Sequence, residues 1–172
     1  MLVSDSQQVY IYPIEKEIVV KKNRDFVFTG RVRAGLFDFY ANECSFEYDS
    51  FRLNLPTVDS LIFSVKSFEK DAKGNYPLRK VNSVVEDVGG RILIDHPTNK
   101  SGIRPFPEFP IFISEKDSYV YYDRDTAYPR DSFKYTIFPY AIDSLDNFLT
   151  DNLEFEGYLE SDRIFPDIRQ PL

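Results

Sequence analysis

Apolar and polar residues alternate with a period of two through much of the first half of the chain. Phe26, Phe28, Gly30, Val32 and Ala34 share one face, while Arg31 and Arg33 point the other way. Successive side chains leave opposite faces of a pleated strand, so this pattern predicts a half-buried strand. Gly35 breaks the parity before Phe37 and Phe39 resume it, which predicts a bulge or tight corner at a residue that enters positive φ freely. Cys44, Phe46 and Tyr48 continue on one face, and a slip at Asp49-Ser50 hands the inward set to Phe51, Leu53 and Leu55. Pro56-Thr57 predicts a turn, beyond which Leu61, Phe63 and Val65 follow.

The remaining segments read less regularly. Val9 to Ile14 and Glu17 to Val20 predict two short strands, with Lys21-Lys22-Asn23-Arg24 as a solvated turn after them. Lys73-Gly74-Asn75-Tyr76-Pro77 predicts a hairpin-type turn on a charged surface loop. Val81 to Asp95 offers a strand pair cornered at Gly89-Gly90. Pro105-Phe106-Pro107-Glu108-Phe109-Pro110 is excluded from a central strand because three prolines remove three backbone donors. It is expected to lie extended across the surface of the sheet. Strand character returns over 111–122 and 132–138. Only Ile142, Leu145, Phe148 and Leu149 fall at helical spacing, with Asp143 placed to cap them. The expectation is an all-β fold of Gly-cornered strands, in a sandwich or a solenoid-like sheet stack, with at most one short helix near 143–150.

A block order recurs along these strands. Phe28-Thr29-Gly30-Arg31-Val32 is followed by Asp49-Ser50-Phe51 and then Asp59-Ser60-Leu61. Val88-Gly89-Gly90-Arg91-Ile92 is followed by Asp131-Ser132-Phe133 and then Asp143-Ser144-Leu145, and Phe155-Glu156-Gly157 opens a third copy. The spacing is unequal, so a duplication of 26–65 in 86–149 requires insertions, chiefly 97–130. Recurrent turn chemistry is the alternative, since Asp and Ser side chains accept bonds from backbone N–H groups two residues on. The 172 residues are read as one all-β module, a fragment of a longer chain.

Composition agrees with the pattern: 16 Phe and 12 Tyr stand against five Ala, with no Trp. A formal net charge of −7 repels phosphate backbones, so nucleic acid is not an expected partner. No stretch approaches the length of a membrane span. Cys44 is alone and alternates with core positions, which reads as a small core residue, and His96 has no second histidine to share a metal. The acidic loop holding Asp123 and Asp125, with Asp131 nearby, is the strongest metal candidate because calcium wants several oxygens close together. The glycine and terminal glutamate of a helix-loop-helix calcium site are missing and Arg124 competes for the carboxylates, so a solvated loop is the simpler reading. Asp49, Asp59, Asp131 and Asp143 are read as turn caps rather than catalytic carboxylates. Tyr119, Tyr121, Tyr122 and Tyr128 are the candidate sugar-stacking surface, although tyrosine on a strand is also an ordinary packing residue with a polar tip. No phosphate loop, nucleophile elbow or paired cysteine motif occurs, and neither catalysis nor a cofactor is expected.

Three segments, 28–40, 46–61 and 145–157, resemble segments of very large, uncharacterised β-rich repeat proteins of the bacterial cell envelope. The resemblance covers most of the chain and implies a fragment of a long exported protein, with no catalytic residues to transfer. It implies neighbouring repeats of the same parent chain, or other envelope components, as partners. The function expected is therefore a non-catalytic structural or interaction module. Two alternatives stand beside it: an open β groove that shields lipid, and a glycan-binding module using exposed tyrosines.

Overall fold

The structure, a computed structural model, describes residues 1–66, 69–81, 85–122, 129–130, 132–147, 154–163, 166, 168–169 and 171. The chain is all-β, as the alternation predicts: one large antiparallel sheet, not closed into a barrel. Its strands are β1 (Leu2–Ser4), β2 (Val9–Pro13), β3 (Val19–Val20), β4 (Phe26–Ala34), β5 (Phe37–Glu47), β6 (Arg52–Lys66), β7 (Leu78–Lys80), β8 (Val85–Leu93), β9 (Ile111–Ser114), β10 (Ser118–Tyr121), β11 (Lys134–Ile137), β12 (Ala141–Ile142) and β13 (Gly157–Glu160).

Several of these strands are halves of one passage. β2 and β3 both pair with β4, at Gly30–Ala34 and at Phe26–Val27. β7 and β8 follow β6 in turn, β9 and β10 follow β8, and β12 and β11 lie against β9 and β10. Grouped this way, each passage pairs with the one before it and the one after it in sequence. The topology is a meander.

The inward face is the one read from the alternation. β4 is buried at every second residue from Phe26 to Ala34, and Phe37, Phe39, Leu53, Leu55, Leu61 and Ile92 join it in one core. Each such side chain removed from water contributes about 1.5–3 kcal/mol. Among the described residues no long helix covers this face, so the sheet must cover itself. It does: Phe39 on β5 meets Phe112 on β9 with ring centroids 4.8 Å apart, although β6 and β8 lie between them in the sheet. Segments outside the strands complete the cover, with Ile94 and Leu145 fully buried and Leu36 N–H donating to the Leu145 carbonyl at 2.8 Å.

The recurrent glycines explain how a sheet bends this far. Gly30, Gly90 and Gly157 pair with Pro13, Ser114 and Ile137, each the last residue of a strand before its passage breaks. At each one a Cβ would collide with the neighbouring backbone, at Tyr12, Ile113 and Thr136 respectively. The neighbouring strand leans over the inner face there, and only a residue without a side chain leaves it room. The corner is therefore a corner of the sheet, not of the chain. This corrects the expected strand pair at Gly89-Gly90, since β8 runs straight through both. Pro56-Thr57 likewise does not turn the chain. It lies inside the 15-residue β6, where the register with β8 shifts between Leu55 and Val58, as a bulge accommodates a proline. Gly35 does turn the chain, in a two-residue hairpin between Ala34 and Phe37 with φ +56°.

Other expectations map as follows. The basic run forms the exposed turn between β3 and β4, and the 73–77 turn is capped by Asp71, whose Oδ1 accepts from Lys73 and Asn75 N–H groups. The proline-rich segment is irregular, with a turn from Phe106 to Phe109 rather than an extended run throughout. Residues 143–147 form a turn closed by Asn147 N–H on the Ser144 carbonyl, and 148–150 lie outside the described residues. Of the Asp-Ser-Leu blocks, 59–61 lies within β6 and 143–145 in that turn.

Cys44 is fully buried, and burial pushes its thiol up to about 12. The native protein is therefore expected to resist thiol-modifying reagents at pH 8 and to react stoichiometrically once unfolded in urea; rapid labelling of the folded chain would contradict this packing. Gly90→Ala is expected to cost about 2 kcal/mol or more in a urea titration, because its methyl meets the β9 backbone rather than a mobile side chain.

Candidate functional site

The candidate tyrosines are positioned by β10, whose alternation sends Val120 into the core and Tyr119 and Tyr121 outward. Cross-strand pairing sets their neighbours: Tyr119 lies opposite Glu86 on β8 and Thr136 on β11, and Tyr121 opposite Lys134. The two rings stand 5.9 Å apart at an interplanar angle of 38°, so they share a face without forming a flat platform.

Charge fills the space around them. The Arg130 guanidinium lies 3.7 Å from the Tyr121 ring centroid and pairs with Glu86, while the Tyr121 hydroxyl donates to Asp87 at 3.3 Å. Lys134 lies 5.0 Å from the Tyr119 centroid and 3.8 Å from Glu160, which also accepts from Thr136 at 2.9 Å. A cation over an aromatic face is worth about 0.5–1 kcal/mol at such a surface. The arrangement is a ladder of tyrosine, cation and carboxylate in which Arg130 and Lys134 are set among the carboxylates of Glu86, Asp87 and Glu160. Tyr122 meets Phe133 edge-on at 5.6 Å, with its hydroxyl pKa raised by burial. Tyr128 and the metal candidates Asp123, Asp125 and Asp131 lie outside the described residues. Among the described residues no group of three His, Cys, Asp or Glu side chains is arranged to hold a metal ion, and no helix is long and apolar enough to cross a membrane.

The same ladder chemistry recurs on the outer face of β2, β4 and β5. Arg31 lies 4.2 Å from the Tyr12 centroid, and Arg33 grips Asp38 through two bonds of 3.0 and 2.9 Å. Asp38 holds the Arg33 guanidinium above its usual range, chiefly through those hydrogen bonds. Asp59, expected as a turn cap, sits within β6 and accepts from Asn42 at 2.9 Å across the strand pair.

The sequence did not single out the most deeply buried charged side chain among the described residues. Asp95 is 1% exposed, and its carboxylate accepts from Gln7 at 3.1 Å, Asn99 at 2.9 Å and the His96 backbone at 2.6 Å. Charge-assisted bonds of this kind compensate a buried carboxylate. They staple the 95–104 loop to the first turn of the chain. Gln7 is 88 residues away from Asp95, so no local signal links the two. His96 stacks on Phe106 at 5.3 Å and bonds Thr98, which is turn packing.

Two of the open clefts among the described residues accompany these features. One of about 510 Å³ opens among Ile14, Glu15, Glu17, Val19, Val27 and Glu43, beside the break between β2 and β3. The other, about 320 Å³, lies among Gln7, Ile103, Arg104, Phe106, Phe109 and Asp146.

Burial raises the hydroxyls of Tyr121, Tyr135 and Tyr140 above their ordinary value, with Asp87 adding to the effect at Tyr121. Tyr140 faces Ser118 in the core, yet neither oxygen reaches bonding geometry. The folded state therefore holds these phenol protons more tightly than the unfolded chain. Their contribution is complete below about pH 10 and is lost as pH rises beyond it. The urea midpoint should stay level up to about pH 8, fall from there as the Cys44 thiol ionises in the unfolded chain, and fall further above about pH 10 with the phenols; Tyr140→Phe should lessen the second fall. A midpoint unchanged to pH 11.5 would contradict the assignment.

Comparison of the chain with protein-family models, with curated proteins and with solved structures finds no match.

Proposed function

We propose that this chain is a non-catalytic structural or interaction module of a large bacterial envelope protein. The observation that carries the reading is the destination of the phenylalanines. Phe28, Phe39, Phe51 and Phe63 are 5%, 0%, 4% and 6% exposed and belong to one core. That packing supports a filled scaffold over an apolar trough for lipid. On the outside, tyrosines and charges are paired with one another in ladders, which favours a surface built for rigidity and solubility over a reacting site. The 38° tilt of Tyr119 against Tyr121 and the cations over their rings give a glycan no ready stacking plane. Placement in the envelope rests on the resemblance of segments 28–40, 46–61 and 145–157.

Two measurements test the proposal together. Fractionation of cells carrying the native gene should recover the parent protein with the envelope. Thermal unfolding of the isolated chain should be cooperative and should shift by less than about 1 °C with phospholipid vesicles or cell-wall glycan fragments. Recovery in the cytosol would overturn the location, and a saturable upward shift with either additive would replace the module by the corresponding binding function.

A further inference from the structure

The free edge of β3 has the properties of a self-pairing strand, and we propose that it joins two copies of this chain into one continuous antiparallel sheet. The inference does not depend on the proposed envelope role. Among the described residues β3 pairs with β4 alone, and its two valines are 62% and 69% exposed, beside Ile14 at 60%. An unpaired apolar edge of this kind is a template for another strand.

The backbone settles which groups are on offer. Lys21 N–H donates to the Asp25 carbonyl at 2.7 Å, so Lys21 directs its polar groups toward the β4 side. Strand alternation then turns those of Val20 and Ile18 to the open side. Glu17 (φ −103°, ψ 135°) and Lys21 (φ −104°, ψ 179°) are both extended, which makes 17–21 a five-residue pairing window. The chain leaves the edge at either end, at Lys16 with φ +61° and in the turn Lys22–Arg24.

That window reads Glu-Ile-Val-Val-Lys and is complementary to itself. An antiparallel pair related by a two-fold axis must place one residue opposite its own copy. Centring on Val19 sets Ile18 against Val20 of the second copy, so that the outward N–H and C=O groups of both form hydrogen-bonded pairs. The same register sets Glu17 against Lys21 twice, on the face that carries Val19. Centring on Val20 instead opposes Ile18 to Lys22 and leaves Glu17 facing Asn23, with no charge pair. Charge complementarity thus selects both the partner and the register. Because the axis is two-fold, the contact closes at a dimer rather than growing into a fibre.

The test is sedimentation equilibrium of the full chain from about 20 µM to about 1 mM in low salt, since an interface this small is weak. A monomer–dimer equilibrium that weakens with added salt is expected. Lys21→Glu or Glu17→Lys alone opposes like charges and should weaken dimerisation by about tenfold or more. The double variant restores both pairs and should dimerise like the parent. An equimolar mixture of the two single variants should also associate, because each supplies the charge that the other lacks. A parent chain that stays monomeric to about 1 mM overturns the proposal, as does a dimer indifferent to the single reversals. These residues are exposed, and recovery in the double variant and in the mixture separates lost pairing from lost folding.

Discussion

A sheet with one apolar face and, among the described residues, no long helix to lay on it depends on its own strands and loops for cover, and the rest of this molecule follows from that constraint. β4, β5 and β6 carry rows of Phe, Leu and Val that water must not reach, so the sheet has to bend until distant strands meet over them. Phe39 against Phe112 is where that meeting is visible. Bending is concentrated at Gly30, Gly90 and Gly157, where the backbone of the adjoining passage leans across the inner face and breaks its run. A polar tie adds to this cover, with the buried Asp95 carboxylate accepting from the amides of Gln7 and Asn99.

The outer face answers a different demand. Tyrosines there present large rings that are only partly wetted, and arginines and lysines laid across them shed little hydration while shielding the carbon beneath. Carboxylates on the next strand then balance the cations. The outcome is a surface whose strongest interactions are satisfied internally. Edges are the exception, because a backbone edge cannot be satisfied by side chains on a neighbouring strand, and β3 combines an open edge with exposed valines.

Much of this was legible in the sequence, for reasons that differ by element. The inward rows from Phe26 to Phe63 were readable because period-two alternation is imposed locally by the pleat. The recurrence of glycine was readable too, but its meaning was not: a glycine at a chain corner and one beneath a neighbour's backbone look alike in sequence. Gly90 therefore reads as a turn, and Pro56 likewise, although a bulge lets β6 carry it without ending. Asp59 shows the limit from the other side, since turn chemistry and a cross-strand bond to Asn42 use the same residue. Of the candidate surface, the shared face of Tyr119 and Tyr121 followed from their spacing. Arg130 with Glu86 did not, and neither did Gln7 with Asp95, because partners so far apart in sequence are specified only by the way the sheet curls.

The meander has a consequence for how the chain reaches this state. Among the described residues every ladder joins passages adjacent in sequence, and the widest pairing links Arg52 with Leu93. Each strand therefore finds its template in the segment made just before it, and no early strand has to remain unpaired until a late one arrives. Sheets that depend on remote pairings fold slowly and expose their edges meanwhile. This one can be laid down in the order of synthesis, one passage after another, with the final curl deferred until the whole ribbon exists.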